Sequence, residues 1–373
     1  MKFSCVTQEL LTATQLVSRA IGNDQTLPIL QNILLVVEGK RCTLSATNLE
    51  LSIITSFEVV VENEGGITIP AKAILNFLQY CSDPQVVLET SEGTQLKLHS
   101  KHAKAVISGE ATNGFPAIPT IQRTTTITLV MKEFLHALNL VTFACAKTTT
   151  RPVISGVYTY TSKGKLLLVG TDSYRLSEAK ISFEGQGEVG CIIPSRFLEE
   201  VRAIAAPKKT TADEKAVLEM SMSNQQVEVR IGSTILTSRL IDGKFPDYLQ
   251  VLPKEKITTL SVGTHDLLST LKRMHYFAKE VNNNITFQAG KQFLHLHTKQ
   301  TQLGKDEADL DIELTGEENK IALSSSYLID FLSRIDSEKI LIELSDKLHP
   351  AVFRLKGEDG FLHLVMPLRM AEE

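Results

Sequence analysis

The 373-residue chain contains no tryptophan, and aromatic residues make up only 6% of it. Proteins that hold single-stranded nucleic acid stack its bases on aromatic rings, so this scarcity speaks against such a platform. No apolar run approaches the roughly 18 residues needed to span a bilayer. The start, Met1-Lys2-Phe3-Ser4-Cys5-Val6, reads as a strand and not as an apolar leader, so we expect a cytoplasmic chain that has no signal peptide and meets no membrane. The five cysteines, Cys5, Cys42, Cys81, Cys145 and Cys191, form no CxxC pair and are odd in number. In apolar surroundings they read as reduced thiols, not as a zinc site or a disulfide framework. Excess charge is also missing. The 39 basic and 43 acidic residues leave a net charge of −4, whereas a plain nucleic-acid binder is usually basic. Any DNA-facing surface must therefore be a local positive region in an acidic whole. There is no P-loop, GxSxG or HExxH motif. His295 and His297 alternate on one predicted strand, and two histidines without a third ligand make a poor zinc site. Asp172, Tyr174 and Arg175 lie close together without a converging nucleophile. The expectation is a non-enzymatic chain without metal or cofactor.

What is present is repetition. Apolar residues at 43% and charged residues at 22% are ordinary for a globular protein, and the length suggests two to four domains. Thr47-Asn48 ends the run Thr43–Ala46, and Thr171-Asp172 ends Leu167–Gly170, an offset of 124. Ile69-Pro70 and Ile193-Pro194 precede helix-like segments at the same offset. Phe115-Pro116 and Phe245-Pro246 stand 130 apart, as do Phe197-Leu198 and Tyr327-Leu328, and the polar stretch Pro207–Lys215 accommodates the six extra residues. Fixed offsets of this kind mark tandem copies. We place the copies at 1–122, 123–253 and 254–373, with linkers at Ile118–Thr125 and Leu249–Ile257.

Helical periodicity predicts six helices, at 6–21, 70–81, 131–147, 194–205, 263–280 and 324–336, with Thr7 and Thr264 as candidate caps of the first and fifth. Alternating runs predict strands at Ile33–Val37, Val157–Tyr160 and Ile285–Phe287, and later at Val86–Glu89, Val227–Ile231, Ile340–Glu343 and Ala351–Leu355. Two helices and roughly eight strands per copy imply an α+β layer architecture. The six helices carry ten basic and eight acidic residues, a net of +2, which leaves −6 for the rest of the chain. A surface lined by these helices would contact phosphates without reading bases.

Ordered motifs carry a resemblance along the whole length. They are Met1-Lys2-Phe3, Thr26-Leu27-Pro28-Ile29-Leu30-Gln31-Asn32, Leu44–Ile53, Thr171-Asp172-Ser173-Tyr174-Arg175-Leu176, Leu240–Tyr248 and Val365-Met366-Pro367-Leu368-Arg369-Met370. Together they resemble the beta subunit of bacterial DNA polymerase III, the sliding clamp. The resemblance implies three tandem copies of the DNA-clamp fold, joined head to tail with a second chain into a six-domain ring around duplex DNA. It also implies a pocket between the second and third domains that captures short peptide motifs of the polymerase catalytic subunit, the clamp-loader complex and other polymerases and repair proteins. Carried over, the pocket comprises Ile154, Thr171, Tyr174, Arg175, Leu176, Pro246, Val251, Val365, Met366, Pro367, Leu368 and Arg369, with Arg175 and Arg369 bonding the peptide. The implied dimer contact sets Phe77 and Cys81 against Phe277 and Ala278 of the other chain, and DNA would meet Lys72, Arg151, Arg196, Arg202, Arg273 and Lys279. The chain departs from the family pattern at Ser173 (commonly glycine), Tyr174 (commonly histidine), Gln250 (often basic) and the loops 22–25 and 148–153. The competing reading is a three-repeat protein-interaction scaffold that never encircles DNA.

Overall fold

The computed structural model describes residues 1–22, 27–91, 94–148, 150–206 and 216–369. The loop 22–25 beyond Gly22, Thr149, the insertion 207–215 and Met370 lie outside the described residues. The first copy runs β1 (Lys2–Val6), α1 (Thr7–Ser18), β2 (Asn32–Glu38), β3 (Arg41–Thr47), β4 (Leu51–Glu58), β5 (Val60–Asn63), β6 (Gly65–Pro70), α2 (Ala71–Tyr80), β7 (Gln85–Ser91), β8 (Gln95–His99) and β9 (Lys104–Ser108). The second runs β10 (Thr125–Val130), α3 (Met131–Val141), β11 (Gly156–Ser162), β12 (Lys165–Thr171), β13 (Arg175–Ile181), β14 (Glu184–Gln186), β15 (Gly190–Pro194), α4 (Ser195–Ala205), β16 (Val217–Met222), β17 (Gln226–Ile231) and β18 (Thr234–Arg239). The third runs β19 (Thr258–Gly263), α5 (Thr264–Ala278), β20 (Asn284–Ala289), β21 (Phe293–Thr298), β22 (Glu307–Gly316), β23 (Asn319–Ser324), α6 (Ser325–Leu332), β24 (Lys339–Leu344), β25 (Ala351–Leu355) and β26 (Phe361–Val365).

The order strand–helix–four or five strands–helix–three strands recurs three times, and the hydrogen bonds recur with it. Thr47 Oγ1 accepts from Leu49 N at 3.0 Å and donates to Leu51 O at 3.1 Å. Thr171 Oγ1 accepts from Ser173 N at 3.1 Å and donates to Arg175 O at 2.6 Å. Asn48 Oδ1 and Asp172 Oδ1 each accept two further backbone N–H groups in the same turn. Leu49 and Ser173 sit in the left-handed region at φ +73° and +79°, a conformation that glycine adopts at less cost.

Helix starts also repeat, though not as the sequence suggests. Thr7 and Thr264 are not side-chain caps. Each lies inside its helix with its hydroxyl buried and without a hydrogen-bond partner among the described residues. Because strand runs straight into helix, the chain reaches the first turn in extended geometry and the backbone itself supplies the bond. Thr7 N donates to Pro84 O at 2.9 Å, Met131 N to Ala216 O at 2.8 Å, and Thr264 N to Glu338 O at 3.0 Å. Apolar side chains at helical spacing face inward, such as Leu10 and Val17 on α1 or Leu267, Leu271 and Met274 on α5. No described helix is long and apolar enough to cross a membrane. The five cysteines are free thiols, and burial pushes Cys5, Cys145 and Cys191 up to about 12.

Packing divides the chain into two units. One comprises residues 1–131, 184–187 and 200–240, the other 132–183, 188–199 and 241–373. The first holds a five-stranded sheet, β5-β1-β7-β8-β9, and a nine-stranded sheet, β14-β10-β16-β17-β18-β4-β3-β2-β6. The second holds a twelve-stranded sheet, β15-β11-β12-β13-β26-β25-β24-β19-β22-β21-β20-β23. The long sheets arise because copies pair edge to edge. β18 runs antiparallel to β4 with Leu236 opposite Ile53, and β26 runs antiparallel to β13 with Leu364 opposite Leu176.

Candidate partner-binding pocket

The β13–β26 joint sets Arg175 opposite Val365, Leu176 opposite Leu364, Ser177 opposite His363 and Glu178 opposite Leu362. Strand alternation therefore puts Arg175, Ser177, His363 and Val365 on one face and Leu176, Leu362 and Leu364 on the other. Helical segments cover the first face. Phe143, just after α3, and Phe331 of α6 lie 5.4 and 4.4 Å from the His363 ring, and His363 Nδ1 is 2.8 Å from Ser177 Oγ. Burial, aided by the Arg175 charge, pushes His363 down to about 3, so the ring is neutral.

Arg175 belongs to this covered face. Its Nε is 3.0 Å from Asp172 Oδ2 and its Nη1 2.9 Å from Asp330 Oδ2. Its guanidinium lies 4.7 Å from the Tyr327 ring centre and 5.3 Å from that of Phe143, and the residue is 5% exposed. Two of the guanidinium nitrogens that the resemblance offered to a peptide, Nε and Nη1, are thus bonded to carboxylates of the chain itself. Val365 is fully buried on the same face. Thr171 is consumed by its turn.

The opposite face carries an apolar cluster. Leu176, Leu362 and Leu364 meet Ile154, Val169, Ile192, Val352, Phe245 and Tyr248, with Val153, Ile241, Leu252 and Met366 packed against them. Of the sequence-predicted set, the structure brings Ile154, Leu176 and Met366 together here. Pro246, just before the single helical turn Tyr248–Val251, and Val251, at its end, stand exposed. Sequence reading missed Leu362, Leu364, Phe245 and Tyr248. The alternation along β26 was the available signal for the two leucines; the two aromatics were read only as repeat and family markers.

A polar anchor holds that helical turn. Tyr248 hydroxyl donates to buried Glu178, the Tyr160 hydroxyl lies 2.7 Å from the Tyr248 hydroxyl, and Lys180 Nζ is 3.0 Å from Glu178 Oε1. Burial and the Glu178 carboxylate push the Tyr248 hydroxyl far up, so it remains a donor. Tyr158 stacks between Tyr160 at 4.8 Å and Phe245 at 5.0 Å, ring centre to ring centre. The result is a buried apolar cluster on a fixed polar frame, with the partly buried Val153, Ile241, Leu252 and Met366 at its margin.

Tyr174 is 62% exposed and stacks on Tyr327, while its carbonyl accepts Met366 N at 2.8 Å. Pro367 and Leu368 are half-buried and Arg369 is exposed. Arg151, predicted to face DNA, lies with Nη1 3.5 Å from Ser173 Oγ, beside the Thr171–Arg175 turn. Lys72, Arg196 and Lys279 are exposed and Arg202 is half-buried. Arg273 is exposed but forks onto Asp306 at 2.9 and 3.1 Å, which offsets its charge. Phe77, Cys81 and Phe277 are half-buried on their own copies, while Ala278 is wholly buried within its copy and cannot present a side chain to another molecule.

Comparison with known proteins now has a geometry to meet. The chain matches the DNA polymerase III beta subunit as its N-terminal domain over residues 1–119, its central domain over 128–247 and its C-terminal domain over 249–369. It is 28% identical to a beta sliding clamp of Synechocystis over 99% of this chain and 100% of that one. The crystal structure of a DNA polymerase sliding clamp from Bacillus subtilis superposes with a TM-score of 0.93 at 22% identity over the whole of both chains. A sliding clamp from Bartonella birtlesii bound to griselimycin superposes at 0.92 with 26% identity, over 99% of this chain and all of the other. Three tandem clamp domains, each of two helices on antiparallel sheet, are thus common to all. The chain belongs to the DNA polymerase III beta subunit family, the DNA sliding clamps.

Proposed function

We propose that two copies of this chain close head to tail into a six-domain ring, that duplex DNA passes through it, and that the pocket on β13 and β26 holds short apolar peptide segments of polymerases and other DNA-processing proteins. On this reading the chain is a non-catalytic processivity subunit working in the cytoplasm. One observation carries it: the accounting of strand edges. Within the chain, the last strand of a copy twice joins the strand that follows the Thr-anchored turn of the preceding copy, β18 on β4 and β26 on β13. The same rule leaves β9 and the first half of β22 over. Among the described residues β9 pairs only with β8, and Glu307–Asp311 of β22 only with β21. Open edges invite pairing with another chain, and a twofold axis satisfies both pairs at once.

The two edges are complementary. Glu307, Asp309, Asp311 and Glu313 alternate along β22 and share one face. Lys97, His99 and Lys104 occupy β8 and β9, around Val106, which is 59% exposed. Tyr80, at the end of α2, and Tyr276, near the end of α5, are exposed aromatics available to the same contact. For DNA we propose the exposed Lys72, Arg196 and Lys279, with Arg202 and Arg273 secondary, as sequence-independent phosphate contacts. Sedimentation of the full chain tests the closure. The unaltered protein is expected to run as a dimer at micromolar concentration. Val106→Asp, which sets a fifth carboxylate against β22, is expected to run as a folded monomer. A dimer unchanged by Val106→Asp would place the interface elsewhere.

A further inference from the structure

The two joints inside the chain pair helices as well as strands. At the first, Arg19 at the end of α1 forms an ion pair with Glu200 of α4. At the second, the Phe143 ring, just after α3, lies 6.5 Å from that of Phe331 on α6 and 4.8 Å from the Arg334 guanidinium. Asn139 Nδ2 of α3 donates to Arg334 O at 2.9 Å. Each joint thus sets the end of one copy's first helix against the second helix of the next copy. Counted from the first residue of their helices, the partners correspond. Arg19, Phe143 and Tyr276 hold one position on α1, α3 and α5. Glu200, Asp330 and Asn76 hold one position on α4, α6 and α2, so that Phe331 matches Phe77 and Arg334 matches Tyr80. Tyr276 is 63% exposed, and among the described residues its ring meets only that of Phe277. Tyr80 is 78% exposed, and Phe77 is half-buried.

We propose that the seam between two chains repeats this helix contact as an aromatic clasp, with Tyr276 of one chain against Phe77 and Tyr80 of the other. Lys272, which matches Asn139, then meets the carbonyl of Tyr80 at the end of α2. The inference rests on the ring reading above and adds a contact that the strand edges do not contain. The leftover strands β9 and β22 belong to the same two copies as α2 and α5, so one twofold arrangement uses both matches. Neither Tyr276 nor Tyr80 belongs to the set that the resemblance implied, and Ala278 of that set is wholly buried. Paired aromatic rings gain more than the area they bury. A lysine at a helix C-terminus suits the carbonyls left unpaired there, and Lys272 is exposed without an ion pair among the described residues. The clasp therefore replaces the ion pair of the first joint with a contact that salt does not screen.

The chain contains no tryptophan, so Tyr276→Trp places a single reporter at the seam. Its emission is expected to shift to the blue as the full chain dimerises on concentration, and to shift less when Tyr80→Ser is added. Sedimentation gives the affinity. Tyr276→Ser and Tyr80→Ser are each expected to raise the dimer dissociation constant about tenfold, and together still about tenfold, because both remove one contact. The loss is expected to be alike at about 0.1 and about 0.5 M salt, since rings are not screened as charges are. Urea midpoints read below the dimerisation range are expected to stay unchanged, because both side chains are exposed on the single chain. A dissociation constant moved by neither substitution, or an emission unmoved on dimerisation, overturns the clasp and leaves the ring. A loss confined to low salt assigns the contact to the charged edges and overturns the clasp as well. If the unaltered chain does not dimerise, the ring reading falls first and the clasp with it.

Discussion

At Arg175 two carboxylates and two aromatic rings offset the cost of burying a guanidinium. Removing one partner of such an arrangement leaves charge without compensation. Arg175→Ala is therefore expected to destabilise the chain by about 3 kcal/mol, read as a lower urea midpoint. A stability loss within a few tenths of a kcal/mol would return Arg175 to the role its motif suggested, that of a free peptide donor. His363 makes a pH-dependent contribution. Its folded value is about 3 against an ordinary value near 6.5, so the unfolded chain binds the extra proton between those limits. The neutral ring's contribution is complete above about pH 6.5 and is lost as pH falls toward 3, by up to about 1.4 kcal/mol per unit. His363→Gln is expected to flatten the acid limb of urea stability between pH 6.5 and 4 by about one proton. An unchanged slope would mean that His363 titrates normally.

Strand parity decides what the C-terminal motif does. Val365 and Met366 are neighbours in sequence, but one is sealed under helices and the other packs on the pocket cluster. Val365→Ala is expected to cost about 2 kcal/mol of stability and leave peptide affinity unchanged. Met366→Ala is expected to weaken an anchor peptide about tenfold with little loss of stability. Both are read by urea unfolding and peptide titration, and the reverse pattern would invert the assignment of faces. The helices and short strands were legible because periods of 3.6 and 2 are written in side chains. The sheet-to-sheet joints were not, because β18 on β4 and β26 on β13 are backbone pairings with no side-chain signature. The family motif named segments that meet at the β13–β26 joint but did not separate the two faces of β26. Nothing near Arg175 in sequence announces Asp330, which stands 155 residues away on α6. The threonine caps failed for a related reason: residue type favoured a side-chain cap where a neighbouring carbonyl already supplied the bond.

For the whole molecule, three copies with two internal joints leave β9 and Glu307–Asp311 of β22 without a second neighbour among the described residues, and the proposed closure with a second chain would cover both. The net charge of −4 sets a condition on any DNA contact: the helices, at +2, must do what the chain as a whole opposes. Binding of that kind holds by topology more than by affinity and weakens with salt. The most direct measurement is retention of the dimer, loaded by a clamp loader, on closed circular duplex DNA passed through a sizing column at moderate salt, before and after one cut that linearises the circle. A ring is expected to stay on the circle and to run off the cut ends. Retention unaffected by linearisation would contradict encirclement and leave a groove binder or a scaffold in its place.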